Sequence, residues 1–281
     1  PPPPPLPSSQ RDGLATTSPY VFRKSLTAEL QVRALVDYAM EQRGLSTFGI
    51  MFPQTRQGEN FAEFFRNEVW RRGGEIVAEQ SYQTDQTDFR YQVRLLQGLD
   101  PNAPDEGETP ADSANPEIAG EDDEPPPFEA LFVPDYSDRI SLIAPQIAFY
   151  GLEDIQLLGT NGWNDAELPR LARQFVEEAV FTDSFFLHSS YPFVQDFVAD
   201  YFNRFAAEPT ILEAQGYDIV GIMLTLLNDP DITTREDLRR ALAQMQNFPG
   251  VTGATSFDLV GEADKILFLL QVQKGVIVQI N

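Results

Sequence analysis

Four side chains stand where short apolar runs give way to polar turns: Gln57, Tyr136, Asn161 and Trp163. Together they offer an aromatic wall and neutral hydrogen-bonding groups. That is the make-up of a crevice holding a small molecule rather than of a centre that breaks bonds. Strand-to-helix loops favour polar turn residues on their own account, so each residue taken singly also fits a plain connecting loop. Other chemistries find less support. With no Cys, thiol catalysis, disulfides and cysteine metal sites are excluded. A single histidine, His188 in "FLHSSYP", leaves no H-E-x-x-H and no multi-histidine metal site. It reads as a partly exposed loop residue, with a Ser–His–Asp triad through it as the alternative. No P-loop, no G-x-G-x-x-G after a strand and no G-x-S-x-G elbow occurs. Carboxylates are abundant, but no pair has a spacing that singles it out for acid–base work. The expectation is a binding protein, not an enzyme, with no cofactor and no metal.

The elements that must position these residues alternate. "TAELQVRALVDYAMEQRG" has a helical stripe of Leu30, Ala34, Leu35 and Tyr38, with Thr27 as cap and Gly44 as stop. "TFGIMF" (47–52) is a buried strand, "PQTRQGEN" a turn and "FAEFFRNEVWRRGG" a helix. "EIVAEQSY" (75–82) is a strand and "TDFRYQVRLLQGL" a helix. After the segment 98–127 come "EALFVPD" (129–135), a helix N-capped by Ser137, "IQLLGT" (155–160), the helix "DAELPRLARQFV" and "EEAVFTDSF" (177–185). This α/β alternation argues for a mostly parallel sheet covered on both faces. In such a sheet ligands bind outside the carboxyl ends of the strands, here "FPQTRQG", "VPDYSD" and "GTNGWND". Three helices follow over 191–247, the middle one, "EAQGYDIVGIMLTLLND", reading as thoroughly buried. "GATSFDLVGEADKILFLLQVQKGVIVQI" reads as an antiparallel ribbon turning at Gly261 and at Lys274-Gly275.

Charge narrows the partners. The 281-residue chain carries −23 at neutral pH, a balance repelled by nucleic acid and by anionic lipid. Ten acidic residues and no Lys or Arg fall between 98 and 127. That segment has too little apolar surface to offset its ordering entropy, so a disordered, solvated loop is expected, with an interaction tail as the alternative. The start, "PPPPPLPSSQRDG", shows no basic stretch followed by an apolar core and no initiator Met, so no signal peptide is visible in it and the expectation is a chain that begins mid-protein.

The order and spacing of these motifs resemble the type I periplasmic binding proteins of the leucine/isoleucine/valine-binding group. The resemblance rests on "SPYVFRKSLTAELQVRALVDYAMEQRGLSTFGIMFPQTRQGENFAEFFRNEVWRRGGEIV", on "EAQGYDIVGIMLTLL" and on the closing "GVTGATSFDLVGEADKILFLLQVQKGVIV", and runs from Pro5 to Ile280. It implies two doubly wound lobes with mostly parallel sheets, joined by three crossovers. On that template about 110 residues of the first lobe are missing. Residues 1–24 would be a first-lobe segment and crossover, 25–186 the second lobe, 187–263 a helical first-lobe segment exposing apolar stripes, and 264–281 second-lobe strands. The resemblance places ligand contacts on Ser9, Gln10 and Arg11, on Gln57 in place of the usual aromatic, on Tyr136, and on Asn161 in place of an acidic partner for an amino group. Arg11 or Arg56 could meet a carboxylate. The implied function is capture of an amino acid or similar small polar solute for a membrane permease, in the periplasm or as a cell-surface lipoprotein. A branch of the superfamily, lipoprotein activators of penicillin-binding proteins, implies the alternative of a cell-wall synthase as partner.

Overall fold

The computed structural model describes residues 15–102 and 126–281. The polyproline start with Ser9, Gln10 and Arg11, and nearly all of the acidic segment, lie outside the described residues. Contacts divide the chain into two units. One holds residues 1–35, 181–271 and 277–281; the other holds 36–180 and 272–276.

The second of these carries most of the α/β alternation. β1 (Thr47–Pro53), α2 (Arg56–Arg71), β2 (Glu75–Tyr82), α3 (Arg90–Leu96), β3 (Ala130–Phe132), α4 (Ser137–Phe149), β4 (Gln156–Gly159) and α5 (Leu168–Ala172) follow in order. β1 lies parallel to both β2 and β3, with Phe48 opposite Ile76 and Ala130, and β3 lies parallel to β4. β1 and β3 are apolar runs rather than alternating ones because both faces of a covered parallel sheet are dry. Phe48, Ile50, Leu131 and Phe132 are fully buried. α2 lays Phe61, Ala62, Phe65 and Val69 on this sheet, and Phe65 stacks on Phe132 with ring centroids 4.3 Å apart. The apolar positions 61, 65 and 69 recur every four residues, so one helix face meets the strands.

Three local expectations are corrected. α2 starts at Arg56, inside the expected turn, because the Thr55 hydroxyl accepts the Gly58 N–H at 3.0 Å and caps the helix early. Ser137 is not the N-cap of α4: Tyr136 takes that position in extended conformation, and the Ser137 hydroxyl donates instead to Asp165 at 2.7 Å. The helix expected over 165–176 is cut to five residues where Arg173 takes φ +53.

The other unit contains α1 (Ala28–Asp37, its last two residues beyond the division), α6 (Pro192–Phe205), α7 (Ile211–Leu227), α8 (Arg235–Gln244) and the antiparallel pair β6 (Thr255–Phe257) and β7 (Ala263–Lys265). Thr27 caps α1 through the Leu30 N–H, and α8 has a full capping box between Thr234 and Asp237. The turn at Gly261 is confirmed: φ is +86 there, and a Cβ would lie 2.4 Å from the Val21 carbonyl. α7 departs from expectation. It buries only Ala214, Asp218 and Ile222 and exposes Leu212, Tyr217, Val220, Leu224 and Leu227. β5 (Val180–Asp183), β8 (Phe268–Gln273) and β9 (Val276–Gln279) fall where the chain passes from one unit to the other.

A buried polar knot anchors α7. The Lys24 ammonium lies 2.8 Å from Asp218, and Asp218 also accepts the N–H groups of Val251 and Thr252. The Thr252 hydroxyl donates to Asp218 at 2.6 Å and accepts from Lys24 and Lys265. Burial, then the neighbouring Lys24 charge, holds the Lys265 amine well below the usual lysine range.

Candidate functional site

The carboxyl ends of β1 and β3 and the residue following β4 open on a cleft of about 320 Å³ lined by Pro53, Thr55, Gln57, Gly58, Thr84, Pro134, Asp135, Tyr136, Asp138, Arg139 and Thr160. Its volume falls within the ~300–1,000 Å³ of small-molecule sites. All eleven belong to the unit built on the parallel sheet.

Close backbone approaches shape this cleft. A Cβ at Gly58 would sit 2.2 Å from the Pro53 carbonyl, so only glycine lets the first turn of α2 fold against the end of β1. The same turn presents Gln57, whose side chain is exposed. Tyr136 ends the β3 loop in extended backbone, 56% exposed, with its ring close to Gly162, where a Cβ would come within 3.1 Å of it.

The sequence-chosen residues separate here. Gln57 and Tyr136 line the cleft together. Asn161 is half-buried, one position beyond Thr160, and is not among the lining residues. Trp163 is a correction to the expected aromatic wall. It is fully buried, donates its indole N–H to the Val133 carbonyl at 3.1 Å and lies flat against Gly159, where a Cβ would come within 2.3 Å of the ring. Its ring fills the space beneath the strand ends and offers no face to a ligand. Arg56 is exposed and also outside the lining. His188 sits exposed in its loop, edge-on to Phe186.

Three charged residues around Tyr136 were overlooked: Asp135, Asp138 and Arg139. Asp135 is half-buried; its carboxylate accepts the Tyr82 hydroxyl at 2.7 Å and the Tyr136 N–H at 2.8 Å. Burial raises its carboxyl above the usual carboxylate range, against the lowering effect of those two bonds. The Tyr82 phenol, buried and facing that carboxylate, is pushed up as well. Arg139 turns its guanidinium toward the loop after β2, donating to the carbonyls of Gln86 (2.8 Å) and Thr84. Asp135 and Asp138 stood within the strand-end segment "VPDYSD". An aspartate before a helix reads from sequence as a turn or capping residue, which hid its place in the cleft.

The profile of the periplasmic binding proteins matches residues 4–276. The chain belongs to that family. Solved members of similar fold include a protein assigned as a branched-chain amino acid ABC transporter from Rhodospirillum rubrum, 24% identical, with TM-score 0.81 over 98% of this chain and 71% of that one. A leucine-binding protein from Thermotoga maritima is 20% identical, with TM-score 0.68 over 98% and 71%. A benzoate-bound ABC-transporter solute-binding protein from R. palustris is 17% identical, with TM-score 0.63 over 95% and 66%. No curated protein matches the chain. At these identities the likeness carries the type I periplasmic binding protein fold. Among the described residues no helix is long and apolar enough to cross a membrane.

Proposed function

We propose that this protein is an extracytoplasmic solute-binding protein that captures a small polar solute, amino-acid-like in size, for a membrane permease of the ABC type. The observation carrying this reading is the cleft at the strand carboxyl ends, with Tyr136, Gln57, Thr55 and Thr160 among its lining, in a member of the periplasmic binding protein family. The names of the similar proteins support it: one binds leucine, another holds benzoate, and a third, from Streptococcus pneumoniae, holds isoleucine. Gln57 and Tyr136 are the proposed contacts, the first by hydrogen bonding and the second by its exposed ring. The proposed location is the periplasm or the outer cell surface.

A thermal-shift screen of the purified protein against amino acids, amines and aromatic and aliphatic carboxylates tests this. A solute at about 100 times its dissociation constant stabilises by about 2.7 kcal/mol. A stabilising solute whose effect disappears in Tyr136→Ala supports the reading. A shift that survives unchanged in Tyr136→Ala removes this cleft from the binding role.

A further inference from the structure

The charge on the cleft is uneven. Three lining residues are charged at neutral pH: Asp135, Asp138 and Arg139. Arg139 is committed, its terminal nitrogens donating to the carbonyls of Thr84 and Gln86. Asp135 is held by two neutral donors, the Tyr82 phenol and the Tyr136 N–H. An ionised carboxylate accepts about four hydrogen bonds, so these leave acceptor capacity on a half-buried anion. Around it, β2 contributes Tyr82 and α4 contributes Asp138 and Arg139, while the lining residues at the start of α2 (Thr55, Gln57 and Gly58) and at the β4 end (Thr160) are neutral, the exposed Arg56 standing outside the lining.

We propose that Asp135 is the specificity-determining residue of this cleft, selecting solutes that carry an ammonium or guanidinium group over solutes whose only charge is a carboxylate. The inference rests on the solute-binding reading above and names the charge class that reading leaves open. Arg139 acts on Asp135 only through its charge, and a cationic group would add the charge-assisted hydrogen bond that the two neutral donors do not supply. A solute bearing only a carboxylate would bring like charge beside Asp135 and Asp138, a cost that discriminates even where its apolar part fits. Recognition of an amino group thus passes to Asp135, one residue before Tyr136, in a chain whose position 161 is Asn. The selection is fullest with Asp135 ionised. It fades as pH falls through that carboxyl's range, which burial has lifted above the ordinary aspartate value of about 3.9.

Calorimetric titration with probes of matched shape decides it: L-leucine, 3-methylbutylamine, which keeps only the amine, and 4-methylpentanoate, which keeps only the carboxylate, with arginine and benzoate as larger cationic and anionic probes. The expected result is that amine-bearing probes bind at least about tenfold more tightly than their amine-free counterparts. Asp135→Asn should erase that preference, and Asp135→Glu, which keeps the charge, should restore part of it. In the wild type the affinity for 3-methylbutylamine, which stays protonated throughout, should decline as pH falls through the raised Asp135 range, and in Asp135→Asn it should not change over the same range. Melting curves of both variants check that they fold. Binding of 4-methylpentanoate or benzoate as tight as that of the amines, or a preference surviving in Asp135→Asn, overturns charge selection and leaves the solute-binding reading standing. Failure of all five probes to bind overturns both.

Discussion

Trp163 and Tyr136 are two aromatic residues at neighbouring strand ends with opposite fates. Tyr136 stays exposed on the cleft, while Trp163 is swallowed beneath it by Gly159 and the Val133 carbonyl. Trp163→Ala should therefore cost about 3–5 kcal/mol in urea unfolding, the range for truncating a large buried aromatic. A loss below about 1 kcal/mol would mean the ring is not packed as described. The buried knot around Asp218 gives a second residue-scale expectation, this one set by pH. An unfolded lysine amine titrates near 10.4, while the folded Lys265 amine titrates well below the usual range. Between those two values the unfolded chain binds one more proton, so this group makes stability rise with pH across the window. Lys265→Met should flatten that rise in the pH range just below the unfolded lysine value of about 10.4, measured as unfolding free energy against pH. An unchanged slope would show that the folded amine is charged. Tyr136 and Gln57 were visible in the sequence as strand-end residues. Asp135 was in the same segment but unremarked, because nothing local distinguishes a cleft carboxylate from a turn aspartate.

At the scale of elements, α7 shows how far periodicity reaches. "ILEAQGYDIVGIMLTLL" is apolar around most of its circumference, so no stripe marks an inner face. Its helical character was legible, while the capping box of Thr210 and Glu213 that starts it at Ile211 went unread. Which side is buried was not. The described structure turns Ile222 inward against Phe257 and Ala263 and leaves Leu224 exposed. Ile222→Ala should cost about 2–5 kcal/mol, and Leu224→Gln should change stability by less than about 0.5 kcal/mol. Equal costs at the two positions would contradict this orientation. α2 makes the complementary case: its apolar positions repeat every four residues, and the face they mark is the face laid on the sheet.

For the whole molecule, the α/β alternation and the covered parallel strands followed from sequence, because a strand dry on both faces must be apolar throughout and parallel neighbours need a helical crossover. The strand ends were located for the same reason: a short apolar run stops where the chain leaves the sheet. Family membership was carried by the order of weak motifs along nearly the whole chain, and the profile match over residues 4–276 bears it out. Which side chains at those ends face the cleft depended on what else approaches them. Gly58 folds a helix turn against Pro53, Gly159 admits the Trp163 ring, and Tyr82, 53 residues before Asp135, holds its carboxylate. The sequence by itself determined the alternation, the strand ends and the family. Only the tertiary structure decided that Trp163 is core and Asp135 is cleft, because burial is set by contacts between residues distant in the chain, which no local pattern encodes.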